Sequence, residues 1–435
     1  MKLEDEVRGI ALAAQKASRA LAQTSTQARN DALYAMAASL RAHAADILSA
    51  NEEDMRSARA AQVKESLLDR LALDAGRIEE MAAALEKLVE LPDPINVVQE
   101  RRTLDSGIEL ERVSVPLGVV AVVYEARPNV TADAAGICLK SGNAVVLRGG
   151  SLAHASCAAI ARVLHAAAVD AGMPEGCIGS IASTDRAAAD VLMGLHGIVD
   201  VLVPRGGAGL IRHCVEAAKV PVIETGTGNC HVYVHATADL PQARDIVVNA
   251  KTRRFGVCNA AETLLVDASV AEDFLPEVAG ALADAGVRLH CDELACKLAL
   301  AAGADRSPLD AALEISRADE SDWETEYLAP DLAIRCVDGV DAAISHINRY
   351  GTRHSEAIVA DLSRPEGASA AQRFVAEVDA AAVYVNASTA FTDGGMFGLG
   401  AEIGISTQKL HVRGPFALQG LTSYKYVLRG TGQVR

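Results

Sequence analysis

Short valine-rich runs that alternate with alanine-rich segments fill the sequence from Val115 onward. The runs are predominantly apolar, which is typical of strands buried on both faces of a parallel sheet. The intervening segments, with helices expected near 240–254, 271–285 and 340–348, suit crossover helices, so the pattern predicts an α/β fold. Two successive sets of runs predict two α/β domains: GVVAVVYEARP, NAVVLRGG, GIVDVLVPRGG and VPVIETG, then CHVYVHA, ETLLVDAS, LAIRCVD, EAIVADLS and AAVYVN.

The two ends of the chain have different patterns. Residues 1 to about 92 are rich in Ala, Leu, Glu and Arg, with apolar residues three and four apart, which predicts helices. The next segment, ERRTLDSGIELERVSV, alternates around Asp-Ser-Gly and predicts a β-hairpin, and the C-terminal LTSYKYVLRG predicts an edge strand. Because a lone hairpin is marginally stable in water, we expect the arm at 98–114 to pair with the tail strand of a neighbour in a homo-oligomer.

Composition and charge narrow the class of protein. The 435 residues carry a formal net charge of −16, which would repel nucleic acid and anionic lipid, so neither is an expected partner. The nine cysteines form no CxxC pair, which favours reduced thiols in a cytoplasmic protein, and no metal site is predicted. We expect no stretch to reach the roughly 18 apolar residues of a membrane-spanning helix, and the N-terminus lacks the apolar core of a signal peptide.

Two strand ends carry residues that suit ligand binding. Gly206, Gly207 and Gly209 stand where the VDVLVP run turns into a helix, and amides at a helix N-terminus attract phosphate. A structural turn explains such glycines equally well, and the chain lacks the GxGxxG fingerprint of the usual dinucleotide fold. Glu224 ends the VPVIETG run, where it serves either as a base or orienting acceptor, or as solvated surface charge.

Cys258 is the cysteine whose neighbours best suit covalent chemistry. It follows a helix that contains Lys251, Arg253 and Arg254, and positive charge stabilises a thiolate relative to a thiol. Because the thiolate is the nucleophilic form, we expect these cations to make Cys258 reactive. The other eight cysteines stand mostly in alanine- or valine-rich segments and are interpreted as inert core residues.

These segments resemble the aldehyde dehydrogenase superfamily from nearly end to end. Glu224 and Cys258 are 34 positions apart, the separation at which that superfamily holds its active-site glutamate and its nucleophile. The resemblance implies an α/β, aldehyde dehydrogenase-like fold with two parallel-sheet domains, for cofactor and catalysis, and a β-hairpin oligomerisation arm. The segments that carry it are VPLGVVAVVYEARPNVTADAAGICLKSGNAVVLRGG, VPRGGAGLI, VPVIETGTGNCHVYV, RRFGVCNAAETLLV, TEYLAPDLAI and GLTSYKYVLRG.

The resemblance also implies catalytic roles. Cys258 would be the nucleophile, and its own backbone N–H together with the side chain of Asn129 would form the oxyanion hole. Hydrolytic relatives use the glutamate that matches Glu224 to activate water, which here would waste the intermediate. Glu224 is therefore expected either to orient the cofactor end of the site or to tune the thiol.

A nicotinamide cofactor is the second implication. Arg148 stands where most relatives have a cofactor-binding lysine, and a guanidinium fork suits the adenosine 2′-phosphate, which favours NADPH over NADH. Gly206, Gly207 and Gly209 match the turn that binds the pyrophosphate. Glu326 in TEYLAP matches the carboxylate that holds the nicotinamide ribose.

The branch that these motifs resemble reduces L-glutamyl 5-phosphate with NADPH to L-glutamate 5-semialdehyde and phosphate in proline biosynthesis, through a cysteine thioacyl intermediate. An anionic substrate requires local cations, because the net charge of the chain is negative. Candidates are Arg254, Arg253, Arg127 and Arg413, each equally explained as surface charge. A transient association with glutamate 5-kinase, which would supply the unstable acyl phosphate, is a further hypothesis.

The resemblance divides the chain into three parts. Residues 1–97 and 115–228 are predicted to bind NADP, residues 229–414 to form the catalytic domain, and 98–114 with 415–435 to form the oligomerisation arm and tail strand. One alternative function is a hydrolytic or coenzyme-A-dependent aldehyde dehydrogenase with the same cysteine, against which RPNVTAD, GVCNAAET and the short length argue. The other is a non-catalytic NADP-binding assembly protein, which would need no reactive thiol.

Overall fold

The computed structural model describes residues 2–303 and 314–435. Most of the helices lie where the alanine-rich segments predict them, including the expected intervals of the second half. The α-helices within the described residues are α1 (Leu3–Leu21), α2 (Thr26–Ala42), α3 (Ala44–Ala60), α4 (Glu65–Leu71), α5 (Ala75–Glu90), α6 (Asn129–Lys140), α7 (His154–Asp170), α8 (Arg186–Met193), α9 (Ala208–Ala217), α10 (Leu240–Thr252), α11 (Ala271–Asp284), α12 (Glu293–Gly303), α13 (Glu320–Glu324), α14 (Gly339–Tyr350) and α15 (Pro365–Glu377).

The strands of the described residues are mostly short and apolar. Three 3-10 helices accompany them, at Ser151–Ala153, Thr389–Phe391 and Gln419–Leu421. The strands are β1 (Val98–Thr103), β2 (Glu109–Pro116), β3 (Val119–Tyr124), β4 (Ala144–Gly149), β5 (Ile178–Ser180), β6 (Val201–Arg205), β7 (Cys230–Val234), β8 (Ala261–Asp267), β9 (Arg288–Cys291), β10 (Ile315–Arg317), β11 (Asp331–Val337), β12 (Ser355–Val359), β13 (Ala382–Val385), β14 (Gly404–Ser406), β15 (Gly414–Phe416) and β16 (Thr422–Arg429).

The chain forms two compact units, and each is described by itself. The first unit contains Met1–Thr225, Gly398–Gly404 and Pro415–Arg435. The second unit contains Gly226–Phe397 and Ile405–Gly414. Each unit has its own parallel sheet, which confirms the predicted α/β class.

The sheet of the first unit has the order β5-β4-β3-β6, and its strand pairs are parallel. The residues of β3 are almost completely buried, as an uninterrupted apolar run predicts. The expectation that VPVIETG is a strand is wrong, because this segment makes isolated bridges, one of them between Leu202 and Val222, and no continuous strand. Pro221 offers no N–H to a neighbour. After Glu224 the backbone pairs with a different partner, since the Gly226 N–H donates to the carbonyl oxygen of Ile405 at 3.0 Å.

The sheet of the second unit has the order β10-β9-β11-β8-β7-β12-β13, and its strand pairs are parallel. Apolar side chains of α10, α11 and α12 pack on one face of it, and those of α14 and α15 pack on the other. The five predicted runs of this half are all strands. The short strands β9 and β10 were not predicted, because their three or four residues include Arg, His or Ser and show no apolar run.

The predicted hairpin is present as β1 and β2, joined by a turn in which Gly107 has a φ of 79°. The expectation that the arm pairs with the tail strand of a neighbour is wrong, because β16 pairs along β2 of the same chain. Glu111 on the middle strand receives hydrogen bonds from Arg101 on one side and Arg429 on the other, at 2.5 and 2.6 Å. This shared carboxylate helps to tie the three-stranded sheet together within one chain.

One segment, Ser151–Asp170, corrects another expectation. By length and composition it is apolar enough to cross a membrane, with a mean hydropathy of 1.4. More than half of it is buried inside the chain, and α7 packs against α2 and α3. A buried core helix meets the same criterion, so the segment is weak support for a membrane span.

Candidate active site

Cys258 lies in the turn that joins α10 to β8 in the second unit, and its side chain is half-buried. The residues that lead into β7 pack against this turn. A Cβ atom on Gly228 would lie 1.5 Å from the carbonyl oxygen of Cys258, so only glycine fits there. The thiol of Cys230 donates a hydrogen bond to the same oxygen at 3.2 Å. Sequence analysis did not single out either residue, although a glycine beside a strand often marks such a close approach.

Glu326 is brought close to Cys258 through Gly228. The backbone N–H of Gly228 donates to Oε1 of Glu326 at 2.6 Å. Leu328, two residues farther on, has a φ of 52° in the left-handed region, and its N–H donates to Glu262 at 3.1 Å. The segment that carries Glu326 is thus held from two sides.

Lys251 is not available to the thiol in the way the sequence suggested. Its Nζ lies 2.5 Å from Oε2 of Glu262, and both side chains are fully buried. Burial lowers the pKa of Lys251 and raises the pKa of Glu262 to about 7, while each charge partly offsets the effect on the other. The charge of Lys251 is thus committed to this buried pair, and its expected effect on a Cys258 thiolate stays a prediction.

The arginines predicted to bind substrate differ in their surroundings. Arg253 and Arg254 are exposed at the end of α10, and their guanidinium groups have no protein partner within the described ranges. Arg413 donates to Asp379 at 2.8 Å, and Lys409 contacts the same carboxylate at 2.7 Å. Arg253 and Arg254 can therefore accept an anion without breaking an ion pair, whereas Arg413 already neutralises one.

The glycine turn lies in the first unit, where β6 leads into α9. Gly206, Gly207 and Gly209 are exposed, and Gly207 is the N-terminal cap of the helix with no side chain capping it. The Gly207 N–H donates to the carboxylate of Glu125 at 3.1 Å. Sequence analysis missed Glu125, although a charged residue directly after the buried strand β3 marks the ligand edge of a parallel sheet.

Arg148 lies near the end of β4 in the first unit, and only 7% of it is exposed. Its Nη2 donates to the carbonyl oxygens of Thr184 and Asp185 at 3.0 and 3.1 Å, and burial lowers its pKa. Its Nε is buried without a partner in the part of the chain described here. An unpaired buried N–H costs about 1–3 kcal/mol, so a ligand oxygen at Nε would be stabilised. The residue therefore fits a phosphate-bearing dinucleotide.

Asn129 is the first residue of α6, in the first unit, and it is exposed. Its side-chain amide donates to Asp133 one turn later, at 3.1 Å, and a second N–H of the amide is chemically available to a ligand. Burial raises the pKa of Asp133 to about 6, while Asn129 and Arg205 act in the opposite direction. Arg127, two residues before Asn129, is half-buried.

Glu224 belongs to the first unit, whereas Cys258 belongs to the second. It is half-buried in the loop after the isolated bridge of Val222. Its neighbour Thr225 anchors this loop, because the Thr225 hydroxyl donates to the carbonyl oxygen of Pro204 at 2.6 Å. The predicted role of Glu224 stays a prediction.

Most other thiols are in surroundings that keep them protonated. All nine cysteines are free, since no disulfide is formed. Burial is the main cause that raises the pKa of seven of them. These seven are Cys138, Cys157, Cys177, Cys214, Cys230, Cys291 and Cys336.

Comparison with known proteins gives a consistent assignment. The sequence model of the Aldehyde dehydrogenase family matches residues 2–299. Gamma-glutamyl phosphate reductase from Moorella thermoacetica is 52% identical over 436 residues, with both chains covered completely. The protein of the same name from Halothermothrix orenii is 50% identical, again with both chains covered completely.

A solved structure extends the similarity to three dimensions. The crystal structure of gamma-glutamyl phosphate reductase from Thermotoga maritima matches with a TM-score of 0.93 and 43% identity, covering 99% of this chain and 100% of the other. Family, relatives and fold therefore agree. The chain belongs to the aldehyde dehydrogenase family and, within it, to the gamma-glutamyl phosphate reductases.

Proposed function

We propose that the chain catalyses the NADPH-dependent reduction of L-glutamyl 5-phosphate to L-glutamate 5-semialdehyde and phosphate, a step of proline biosynthesis. The observation that carries the proposal is the position of Gly228, which contacts the backbone of Cys258 and donates to Glu326. The backbone of Cys258, the proposed nucleophile, and the carboxylate of Glu326, which suits a ribose hydroxyl, thereby both contact Gly228. This arrangement suits a reaction in which a thioacyl group and a nicotinamide must meet.

The chemistry begins at the sulfur of Cys258. Its thiolate attacks the acyl carbon, a C–S bond forms, and the C–O bond to phosphate breaks with its electron pair leaving on phosphate. The backbone N–H of Cys258 and the amide of Asn129 are proposed to stabilise the oxyanion at this step. NADPH, when bound, would supply the hydride that reduces the thioacyl carbon. Collapse of the resulting thiohemiacetal breaks the C–S bond, releases the aldehyde and restores the thiolate.

The family uses NAD(P) cofactors, and we infer NADPH for this chain. Arg148 is proposed to bind the adenosine 2′-phosphate, because its buried guanidinium has an unpaired N–H. Gly206, Gly207 and Gly209 are proposed to bind the pyrophosphate, and Glu326 the nicotinamide ribose. Glu326 would exchange its hydrogen bond from Gly228 for, or share it with, a ribose hydroxyl.

The remaining predicted residues are proposed to bind the substrate, to orient the cofactor or to tune the thiol. Arg254 and Arg253 are the first choices for the substrate phosphate and carboxylate, since both are exposed and unpaired in the described ranges. Arg127 and Arg413 are second choices. Glu224 is proposed to orient the cofactor end of the site or to tune the thiol, and not to activate water.

The organisation of the protein is part of the same proposal. Residues 1–97 and 115–228 would bind the cofactor, residues 229–414 would carry catalysis, and 98–114 with 415–435 would form an interface in a cytoplasmic homo-oligomer. Tyr424, Tyr426 and Leu428 on β16 are about half exposed, which supports an interface on this sheet. Glutamate 5-kinase is the proposed transient partner, because the acyl phosphate is unstable in water.

The reverse reaction gives a clean test. Purified protein should oxidise glutamate 5-semialdehyde with NADP only when phosphate or arsenate is present, and Cys258→Ser should abolish the activity. Cys291→Ser, which alters a buried thiol of the same unit, should keep it. Oxidation without either acceptor would favour a hydrolytic enzyme, and oxidation that needs coenzyme A would favour an acylating one.

A further inference from the structure

Behind the Cys258 turn, side chains of the second unit form a hydrogen-bonded path that the proposed reaction does not use. It starts at the carbonyl oxygen of Cys258, which accepts the S–H of Cys230 at 3.2 Å. The sulfur of Cys230 lies 3.7 Å from Nδ1 of His354, and that nitrogen lies 2.8 Å from Oγ of Ser355. Oγ of Ser355 is 2.6 Å from Oγ1 of Thr392. The path therefore runs from the backbone of the nucleophile to Thr392.

The path returns to the nucleophile through Asn259. Its side-chain amide donates to the backbone carbonyl oxygens of Ala390 and Thr392 at 3.3 and 2.9 Å. The backbone carbonyl oxygen of Asn259 accepts a hydrogen bond from the hydroxyl of Thr389 at 2.7 Å. Because carbonyl oxygens only accept, these contacts fix the orientation of the amide. Asn259 follows Cys258 in the chain, so the contacts close into a ring. We name this ring the clamp, and its members are Cys230, His354, Ser355, Thr392 and Asn259.

The titratable members of the clamp are neutral near pH 7. Burial lowers the pKa of His354 to about 4 and raises the pKa of Cys230 well above its usual value. The thiol of Cys230 therefore keeps the proton that it donates to Cys258. An N–H at Nδ1 of His354 would donate to Ser355, which leaves Nε2, buried without a partner in the described ranges, as a lone pair. The single N–H at Nδ1 is then shared between Oγ of Ser355 and the sulfur of Cys230, so the 3.7 Å contact between Cys230 and His354 is the weakest link of the ring.

We propose that the clamp positions the nucleophile, and that Cys230 is a positioning residue of the reaction. A peptide unit is planar, so holding the carbonyl of Cys258 also fixes the N–H of Asn259 and the backbone rotation from which the Cys258 side chain projects. Gly228 permits this, because any side chain there would collide with the held carbonyl. The inference rests on the proposed function and adds how the sulfur is aimed.

The test compares two buried thiols of the second unit. Cys230→Ala should lower kcat by about tenfold with little change in KM, because small misplacements of a reacting atom are costly. It should lower the rate at which iodoacetamide alkylates Cys258 by a similar factor, measured by peptide mass spectrometry. Cys230→Ser keeps a donor and should restore part of both rates. Cys291→Ala removes an equally buried thiol of β9 and should leave both within about twofold.

The outcomes separate the clamp from the proposed function. Equal alkylation rates in Cys230→Ala and Cys291→Ala would overturn the clamp. Should Cys230→Ala fail to fold, Ser355→Ala opens the ring elsewhere and should slow alkylation several-fold, and an unchanged rate would again overturn the proposal. Alkylation requires no substrate, so the expected order of rates in a protein without reductase activity would retain the clamp and refute the function.

Discussion

The Cys258 turn of the second unit and the glycine turn of the first unit both join an element of an α/β unit to the next, yet they are held in opposite ways. The Cys258 turn is tied to buried side chains on both sides. The turn at Gly206 and Gly207 is exposed, and the backbone N–H of Gly207 donates a hydrogen bond to the carboxylate of Glu125. A nucleophile gains from fixed geometry, whereas a turn that binds and releases a cofactor needs access. The difference fits the proposed roles of the two turns: the second unit holds a fixed nucleophile, and the first unit binds a cofactor that is exchanged.

The largest effect is expected for the ion pair of Lys251 and Glu262. Both side chains are fully buried, and they lie on the two elements that the Cys258 turn joins. Lys251→Ala would leave a buried carboxylate without its partner and should reduce the free energy of unfolding by about 3–5 kcal/mol. Arg373→Ala, which breaks exposed ion pairs with Asp341 and Glu377, should cost less than about 1 kcal/mol. Denaturant unfolding measures both, and similar losses would show that the buried pair does not stabilise this region.

A substitution of Arg148 tests the proposed cofactor site of the first unit. Arg148→Ala removes a buried guanidinium from the proposed 2′-phosphate site and should raise the KM for NADPH by about 10- to 100-fold. The KM for NADH, which lacks that phosphate, should change little. Arg162→Ala, on the exposed side of α7, is the control and should alter neither. A parallel rise for both cofactors would place Arg148 elsewhere in the site.

Asp133 should make the stability of the first unit depend on pH. Burial raises its pKa to about 6 from an ordinary 3.8, so the folded state holds a proton that the unfolded state has lost between these values. Stability should therefore fall as pH rises from about 4 to about 6, by about 1–3 kcal/mol. Asp133→Asn should remove that slope in denaturant unfolding followed over this range. An identical slope in both proteins would contradict the assignment to Asp133.

Glu125 gives the smallest expected effect. Glu125→Gln removes a negative charge from the glycine turn and should lower the KM for NADPH about two- to fivefold, because less repulsion meets the pyrophosphate. Glu216→Gln makes the same change at the opposite end of α9 and should leave the KM unchanged. An increase in KM for Glu125→Gln would indicate instead that this carboxylate helps to form the site.

Apolar patterning predicted the strands that position both turns, since short apolar runs such as β3 and β4, bounded by turn residues and rich in valine, favour buried strands. It could not predict which side chains and strands of different elements meet. Lys251 looked like a cation for Cys258, but its contact with Glu262 depends on how α10 packs on β8. The tail strand was correctly recognised as a strand, whereas its pairing with β2 of the same chain depends on where the C-terminus returns.

For the same reason, the sequence predicted some residues of the candidate site and not the neighbours that contact them. Family resemblance supplies residues with expected roles, such as Cys258 and Arg148. It does not show which neighbours hold them. Cys230 was assigned to the inert core because its local sequence is ordinary, and only the fold places its thiol against the Cys258 carbonyl. Glu125 was missed because its significance lies in its contact with Gly207, far along the chain.

We propose that the sulfur of Cys258 carries the acyl group, and trapping that adduct tests the proposal most directly. Glutamate 5-semialdehyde and NADP, mixed with the protein without phosphate and quenched in acid, should leave the acyl enzyme for peptide mass spectrometry. We expect one glutamyl group on the peptide that contains Cys258, and we expect it to be lost when phosphate is added before quenching. A glutamyl group on a different side chain, or undiminished turnover by Cys258→Ala, would contradict it.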